Sequence, residues 1–202
     1  MKVRLHEHYD IIGIAGEKRH GKDCVADFIP YPKRIVKLAD PVKQIARMVY
    51  GLTEAQVDGS EQDKETVIPE WGVSPRQIMQ KIGTEMGRGI HPDTWIRFLR
   101  KQIDNFVSVI CIHPGDPPVT FVVSDVRFPN EAEAIRSWGG SIWRVLRPGL
   151  LSAGVDQHPS ETSIKAIRPD LTIINDGTLA QLKGKVEHLH KLHYTGEKKN
   201  DV

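Results

Sequence analysis

The stretch Gly16-Glu17-Lys18-Arg19-His20-Gly21-Lys22 limits what this chain can fold into more than any other. Asp10-Ile11-Ile12-Gly13-Ile14-Ala15 precedes it, a short apolar run of the kind that forms a buried parallel strand. Lys22 to Ile29 follows and reads as a helix stopped by Pro30 and Pro32. Glycines between a strand and a helix let the backbone bend until successive N–H groups converge on one point. The positive end of the helix dipole and a lysine at the helix start both favour an anion there. Gly16, Gly21 and Lys22 have the spacing of a phosphate-binding loop, with Lys18, Arg19 and His20 carried between the glycines.

The remaining chain alternates strands with helices. Arg34 to Leu38 is a second short strand, and Pro41 opens a helix that runs to about Tyr50. Residues 52–73 are polar, carry Gly59, Pro69 and Gly72, and read as a surface excursion. Two helices follow, near 75–87 and 92–106, with Ser74 and Asp93 where caps belong. Val119 to Val123 is a strong strand, Asn130 to Trp138 a helix, Ser141 to Leu146 a strand. Residues 148–168 read as a flexible lid, Leu171 to Ile174 as a last strand, and Leu179 to about Leu192 as a final helix. The tail from Gly196 to Asp201 is expected to fray. Five strands interleaved with helices predict an α/β fold with a parallel sheet covered on both faces. Ligands of such sheets sit at the carboxyl ends of the strands, where the loops after Ala15 and Val123 both lie.

Composition narrows the partners. A chain of 202 residues suits one domain, here with an insertion at about 40–106 and a mobile flap at about 148–168. A formal charge of +2 is too small for bulk binding of polymeric nucleic acid, though free nucleotides need only a few cations. Cys24 and Cys111 make neither a disulfide framework nor a zinc quartet. No apolar run approaches membrane-spanning length and the N-terminus is polar, so the expected compartment is the cytoplasm. A homodimer is compatible with the sequence.

Several side chains bear on chemistry. Where a serine or threonine usually follows the loop lysine to contact magnesium, this chain has Asp23, followed by Cys24. An aspartate beside a triphosphate is repulsive unless a cation intervenes. Asp23 either holds magnesium through water, the reading favoured here, or turns away to a basic side chain. Cys24 reads as a small buried helix residue. Asp125 ends a hydrophobic strand, where it can orient hydrated magnesium, accept a bond from substrate, or cap the next helix. Arg127 alternates to the same side as Asp125, and Glu131 lies one helical turn on. Lys43, Lys64, Arg76 and Arg88 are the candidate cations for an acceptor phosphate. Gly83-Thr84 inside a helical stretch suggests close approach of a ligand or another helix, since mid-helix glycine costs about 1 kcal/mol. Trp95 either stacks on a base or sits in the core. His188, His190 and His193 do not share one helical face and are expected to be solvated.

Taken together, these segments resemble the deoxynucleoside monophosphate kinases of tailed bacteriophages. The resemblance runs through Ile14 to Ile29, Leu38 to Lys43, Asp63 to Thr66, Met79 to Glu85 and Asp93-Thr94-Trp95. It returns at Val122 to Arg127, Val145 to Gly149 and Ile174 to Leu179, and the Asp23 substitution is itself a family feature. It implies a three-layer P-loop kinase fold with a flexible lid. It also implies transfer of the ATP γ-phosphoryl group, with magnesium, to a 2′-deoxynucleoside 5′-monophosphate. In that reading Lys22 and the loop amides hold the donor, and Asn175, Asp176 and Gly177 border the ATP base. Lys43, Lys64, Arg76 and Gln77 would hold the acceptor phosphate; Gly83, Thr84 and Trp95 would line the nucleoside pocket. Asp125, Arg127 and Glu131 would position the acceptor sugar or base, with Asp125 also a water-mediated magnesium ligand. Lys22, Asp125 and Arg127 carry catalysis with a lid arginine, Arg147 or Arg168, and no general base is needed. Two rivals stand: a small-metabolite kinase of the phosphomevalonate or dephospho-CoA type, and a nucleotide-binding regulatory ATPase. A GTPase would carry an Asn-Lys-x-Asp motif, which is absent.

Overall fold

A computed structural model describes residues 9–109, 118–150 and 163–195. Two compact units make up the chain: Met1–Val36 with Ile110–Val202, and Lys37–Val109. The sequence reads 40–106 as an insertion within one domain; the structure gathers Lys37–Val109 into a body of its own.

The first unit is built on five parallel strands, β1 (Tyr9–Ala15), β2 (Lys33–Val36), β3 (Val119–Val126), β4 (Ser141–Leu146) and β5 (Leu171–Ile174). Their order is β2-β3-β1-β4-β5, so β1 lies at the centre and the chain crosses over on both sides of it. The strand periodicity of two divides the side chains between layers. Ile12, Ile14, Val122, Trp143, Val145 and Ile173 face α1 (Lys22–Phe28) and the last helix, α8 (Leu179–Thr195), through Val25, Ala26, Leu182 and Val186. On the other face, α7 (Pro129–Ser137) sends Ile135 against Gly13 of β1. The expected parallel α/β sheet is therefore present. The second strand is shorter than expected, because Leu38 leaves the sheet for the other unit.

The second unit is helical: α2 (Asp40–Tyr50), α3 (Glu54–Asp58), α4 (Glu61–Glu65), α5 (Pro75–Gln80) and α6 (Thr94–Val109). Lys81–Arg88 continues α5 as a π-helical stretch. Leu52, Val57, Ile78, Ile82, Leu99 and Ile103 are buried. The expected plain excursion at 52–73 holds α3, α4 and a β-bridge between Ile68 and Val73. Each short helix starts from a capping box: Thr53 with Gln56, Ser60 with Asp63, Ser74 with Gln77. Such reciprocal bonds satisfy orphan amides in the first turn and make one- to two-turn helices viable.

Cys111 lies outside the described residues, as do residues 151–162 of the expected lid and the tail beyond Thr195. Within 148–168, Ser163–Ala166 forms a 3₁₀ turn. Arg144 of β4 donates through Nη2 to the carbonyls of Ile164 (3.0 Å) and Ile167.

Candidate functional site

The glycine loop joins the carboxyl end of β1 to α1. Arg19 (φ 66°) and Gly21 (φ 94°) both take the left-handed conformation, which a side chain makes costly and glycine does not. Alternating hands of this kind turn consecutive amides toward one side, the geometry of an anion-binding nest. Lys22 donates from Nζ to the Glu17 carbonyl at 2.8 Å, so its ammonium already lies against the loop. His20 is buried, and its Nδ1 lies 3.2 Å from the Val145 carbonyl. A carbonyl only accepts, so Nδ1 carries the hydrogen. Lys18, Arg19 and Asp23 are exposed, while Cys24 packs half-buried against the core, as its reading predicted.

Residues 175–177, expected at the ATP base, each have a contact of their own. Asn175 is buried and donates from Nδ2 to the His20 carbonyl at 3.0 Å. Asp176 accepts from Lys185 at 2.8 Å, and this hydrogen bond holds its carboxyl below the usual range. Gly177 lies against the Gln181 side chain.

Register places Ala15 beside Val126, so the loop and the end of β3 share one edge of the sheet. Asp125 and Arg127 are half-buried there. Glu131 is not solvated: it is 5% exposed, and its Oε2 accepts from the amides of Arg127 (2.8 Å) and Phe128 (3.0 Å). A buried carboxylate tied to two backbone donors fixes the turn that carries Arg127. Sequence reasoning missed Ser124, a fully enclosed residue whose Oγ lacks a hydrogen-bond partner among the described residues. A serine in an otherwise apolar strand run was the available signal. Arg147 and Arg168 are both exposed, and the Arg168 carbonyl is held by Arg136.

In the second unit two of the candidate cations, Lys43 and Arg76, are ion-paired. Lys43 pairs with Asp58; Arg47 reaches Asp58 (2.6 Å) and Glu54 (2.7 Å). Arg76 pairs with Glu65 and, at 2.8 Å, with Glu61. Burial opposes ionisation of Asp58, but hydrogen bonds and charge from Lys43 and Arg47 outweigh it and lower its pKa. Lys64 stands in the last turn of α4, and Arg88 donates to the Pro92 carbonyl. Gln77 spends its side-chain carbonyl on the cap at Ser74. Trp95 is an interior residue: its indole N–H bonds the Gly83 carbonyl at 2.8 Å. Gly83 itself has ordinary room, and the tight glycine is Gly87, where a Cβ would lie 2.1 Å from the Trp95 ring. Thr84 is half-buried within the π-helical stretch.

Two of the three histidines depart from expectation. His193 Nε2 lies 2.8 Å from Asp10 Oδ2, and its ring meets Trp143 edge-on. His190 is half-buried, and burial lowers its pKa. Both extend the stripe that Leu182 and Val186 press on the sheet, so helical spacing turns them inward. His188 stays exposed.

A central parallel sheet, a glycine nest with its lysine at a helix start, and an acid at the end of the neighbouring strand define a P-loop phosphotransferase dependent on ATP. Within that class the chain belongs to the deoxynucleotide monophosphate kinase family, which it matches over residues 56–186, more than half its length. A putative deoxynucleotide monophosphate kinase of Acanthamoeba polyphaga mimivirus is 29% identical over 87% of this chain and 93% of that one. The deoxynucleotide monophosphate kinase of Enterobacteria phage T4 is 24% identical over 90% of this chain and 99% of that one. Among solved structures, TT1252 from Thermus thermophilus shares the fold with a TM-score of 0.50 at 16% identity, covering 95% of this chain and 100% of that one.

Proposed function

We propose that this chain transfers the γ-phosphoryl group of ATP to a 2′-deoxynucleoside 5′-monophosphate, giving a deoxynucleoside diphosphate and ADP. The observation that carries the reading is the loop. Its amides are turned by Arg19 and Gly21, and the Lys22 ammonium already rests against the Glu17 carbonyl. A short swing of that ammonium exchanges a carbonyl for a phosphate oxygen, a stronger, charge-assisted partner. Membership of the family supports the acceptor class.

Phosphoryl transfer leaves a protein little covalent work, so these residues act by placing groups and stabilising charge. Lys22 and the loop amides hold the donor phosphates. Asp125 and Arg127, on a turn that Glu131 fixes, position the acceptor and the transferring group. Lys43, Lys64 and Arg76 are the cations for the acceptor phosphate, with Gly83, Thr84 and Trp95 about the nucleoside. A π-helical stretch at Gly83 and Thr84 fits that role, since such stretches are frequent at functional sites. Arg147 or Arg168 would add charge from the lid.

The residues present fit magnesium. Asp23 and Asp125 offer the hard oxygen donors it prefers, and would hold it through water. No group of three or more candidate ligands occurs among the described residues, so most of its shell would come from phosphate and water. When bound, magnesium neutralises developing charge on the phosphate oxygens. The substrates are small molecules, and no helix among the described residues is long and apolar enough to cross a membrane. A cytoplasmic enzyme working alone or as a homodimer fits this reading.

The test is ADP release from ATP with dAMP, dCMP, dGMP or dTMP in turn. At least one acceptor should raise the rate well above the acceptor-free rate. Hydrolysis unaffected by all four would sink the reading and favour a regulatory ATPase.

A further inference from the structure

We infer that Asn175 is a positioning residue that straps the phosphate-binding loop into shape from the far end of the chain. The inference rests on the loop being the donor-phosphate site, but not on the identity of the acceptor.

A nest that points its amides inward must point carbonyls outward, and those carbonyls need donors of their own. Asn175 Nδ2 supplies one to His20, the residue between the two left-handed positions Arg19 and Gly21. The strap is itself fixed, because the Asn175 amide donates to the Leu146 carbonyl at 2.7 Å and the residue is buried. On the loop side there is no slack: a Cβ on Gly21 would lie 2.6 Å from Asn175 Nδ2. β4 adds a second tie, with the His20 ring donating to the Val145 carbonyl. That same carbonyl would lie 2.7 Å from a Cβ on Gly16. The loop is therefore clasped at both glycines by the ends of β4 and β5. This duty differs from contact with the ATP base, which the Asn-Asp-Gly turn would otherwise serve. A strap acts on phosphate recognition and is blind to the base.

Asn175→Ala removes the donor without adding charge. It should weaken ADP binding about tenfold or more, the ordinary cost of leaving a buried polar group unpaired. Tripolyphosphate, which has no base, should lose affinity by the same factor when competed against a fluorescent ADP analogue. Asn175→Asp, an isostere that sets an acceptor against the His20 carbonyl, should be worse than alanine. His20→Asn, which keeps a donor near the Nδ1 position, should retain more affinity than His20→Ala. The Thr178→Ala/Gln181→Ala pair is the control: it removes the cap of α8 beside the same turn. It should lower the melting temperature yet leave ADP affinity unchanged.

Four outcomes overturn the inference. The first is Asn175→Ala binding ADP as tightly as wild type; the second is loss of ADP affinity without loss of tripolyphosphate affinity, which marks a base contact; the third is an equal loss in the capping control. A wild-type chain that bound no tripolyphosphate would overturn it too, because a preset cradle needs no base. If no deoxynucleotide is phosphorylated but these affinities shift as stated, the strap stands and only the acceptor assignment fails.

Discussion

The two units treat anions in different ways. In the first, the phosphate loop is made of backbone amides held by buried contacts, with Lys22, His20 and Asn175 all tied to loop or strand carbonyls. In the second, the candidate phosphate cations are long side chains, and two of them are occupied by carboxylates: Lys43 by Asp58, Arg76 by Glu61 and Glu65. Amides carry partial charges and can wait for a ligand without a counter-ion. Full charges gathered near one another repel, so a site built from them is held together by acids until an anion arrives. Surface ion pairs are worth only about 0–1 kcal/mol, so exchanging a carboxylate for a phosphate costs little. With the proposed roles, the first unit is preset and the second exchangeable.

The largest effect should come from the preset side. In the proposed reaction Lys22→Ala removes a full charge aimed at the transferring group, and it should lower kcat by about a hundredfold or more. Thermal unfolding should change little, because the side chain is half-buried and its ammonium lies against a loop carbonyl. Acceptor-dependent ADP release checks this. Turnover near wild type would place the donor phosphates elsewhere and dissolve the contrast.

What the sequence reveals follows the same divide between local and distant. The loop, its strand and its helix are legible because fewer than thirty consecutive residues specify them. The helices of 54–65 were equally local: Thr53-x-x-Gln56 and Ser60-x-x-Asp63 are capping patterns that the polar composition concealed. Glu131 was also within reach, since its bonds go to amides three and four residues back. Distant pairings were not legible. Asn175 meets His20 across 155 residues and His193 meets Asp10 across 183, and only strand order brings them together. Between the two readings of Trp95, base stacking or core, spacing could not choose, because the close fit at Gly87 is a matter of packing.

On the exchangeable side the effects should be smaller and opposite in sign. Arg76→Ala should raise the acceptor KM about tenfold or more, the cost of a lost bond to a charged group, with the KM for ATP unchanged. Glu61→Gln/Glu65→Gln should instead lower the acceptor KM, by about fivefold at most, because the competing carboxylates are gone. Both are read from initial rates at saturating ATP. A higher acceptor KM in the double variant would mean that the glutamates aim Arg76 rather than compete for it, and the second unit would then be preset as well.

The smallest effect concerns Asp58, which joins Lys43 to Arg47. Burial raises its pKa, but the hydrogen bonds and charges of those two cations lower it further, and the folded value ends below the ordinary one. A depressed carboxylate stabilises the fold above its unfolded pKa of about 3.9 and loses that contribution as pH falls through the folded value. Because the side chain is 37% exposed, solvent screening limits the contribution to about 1 kcal/mol or less. Asp58→Asn should therefore lower the melting temperature by about 2–4 °C at most between pH 5 and 8. The gap from wild type should narrow below about pH 4 and close in stronger acid, where wild-type Asp58 is protonated as well. A gap of constant size down to pH 2.5 would assign the loss to packing of α3 rather than to charge, and the acids would then be structural rather than exchangeable.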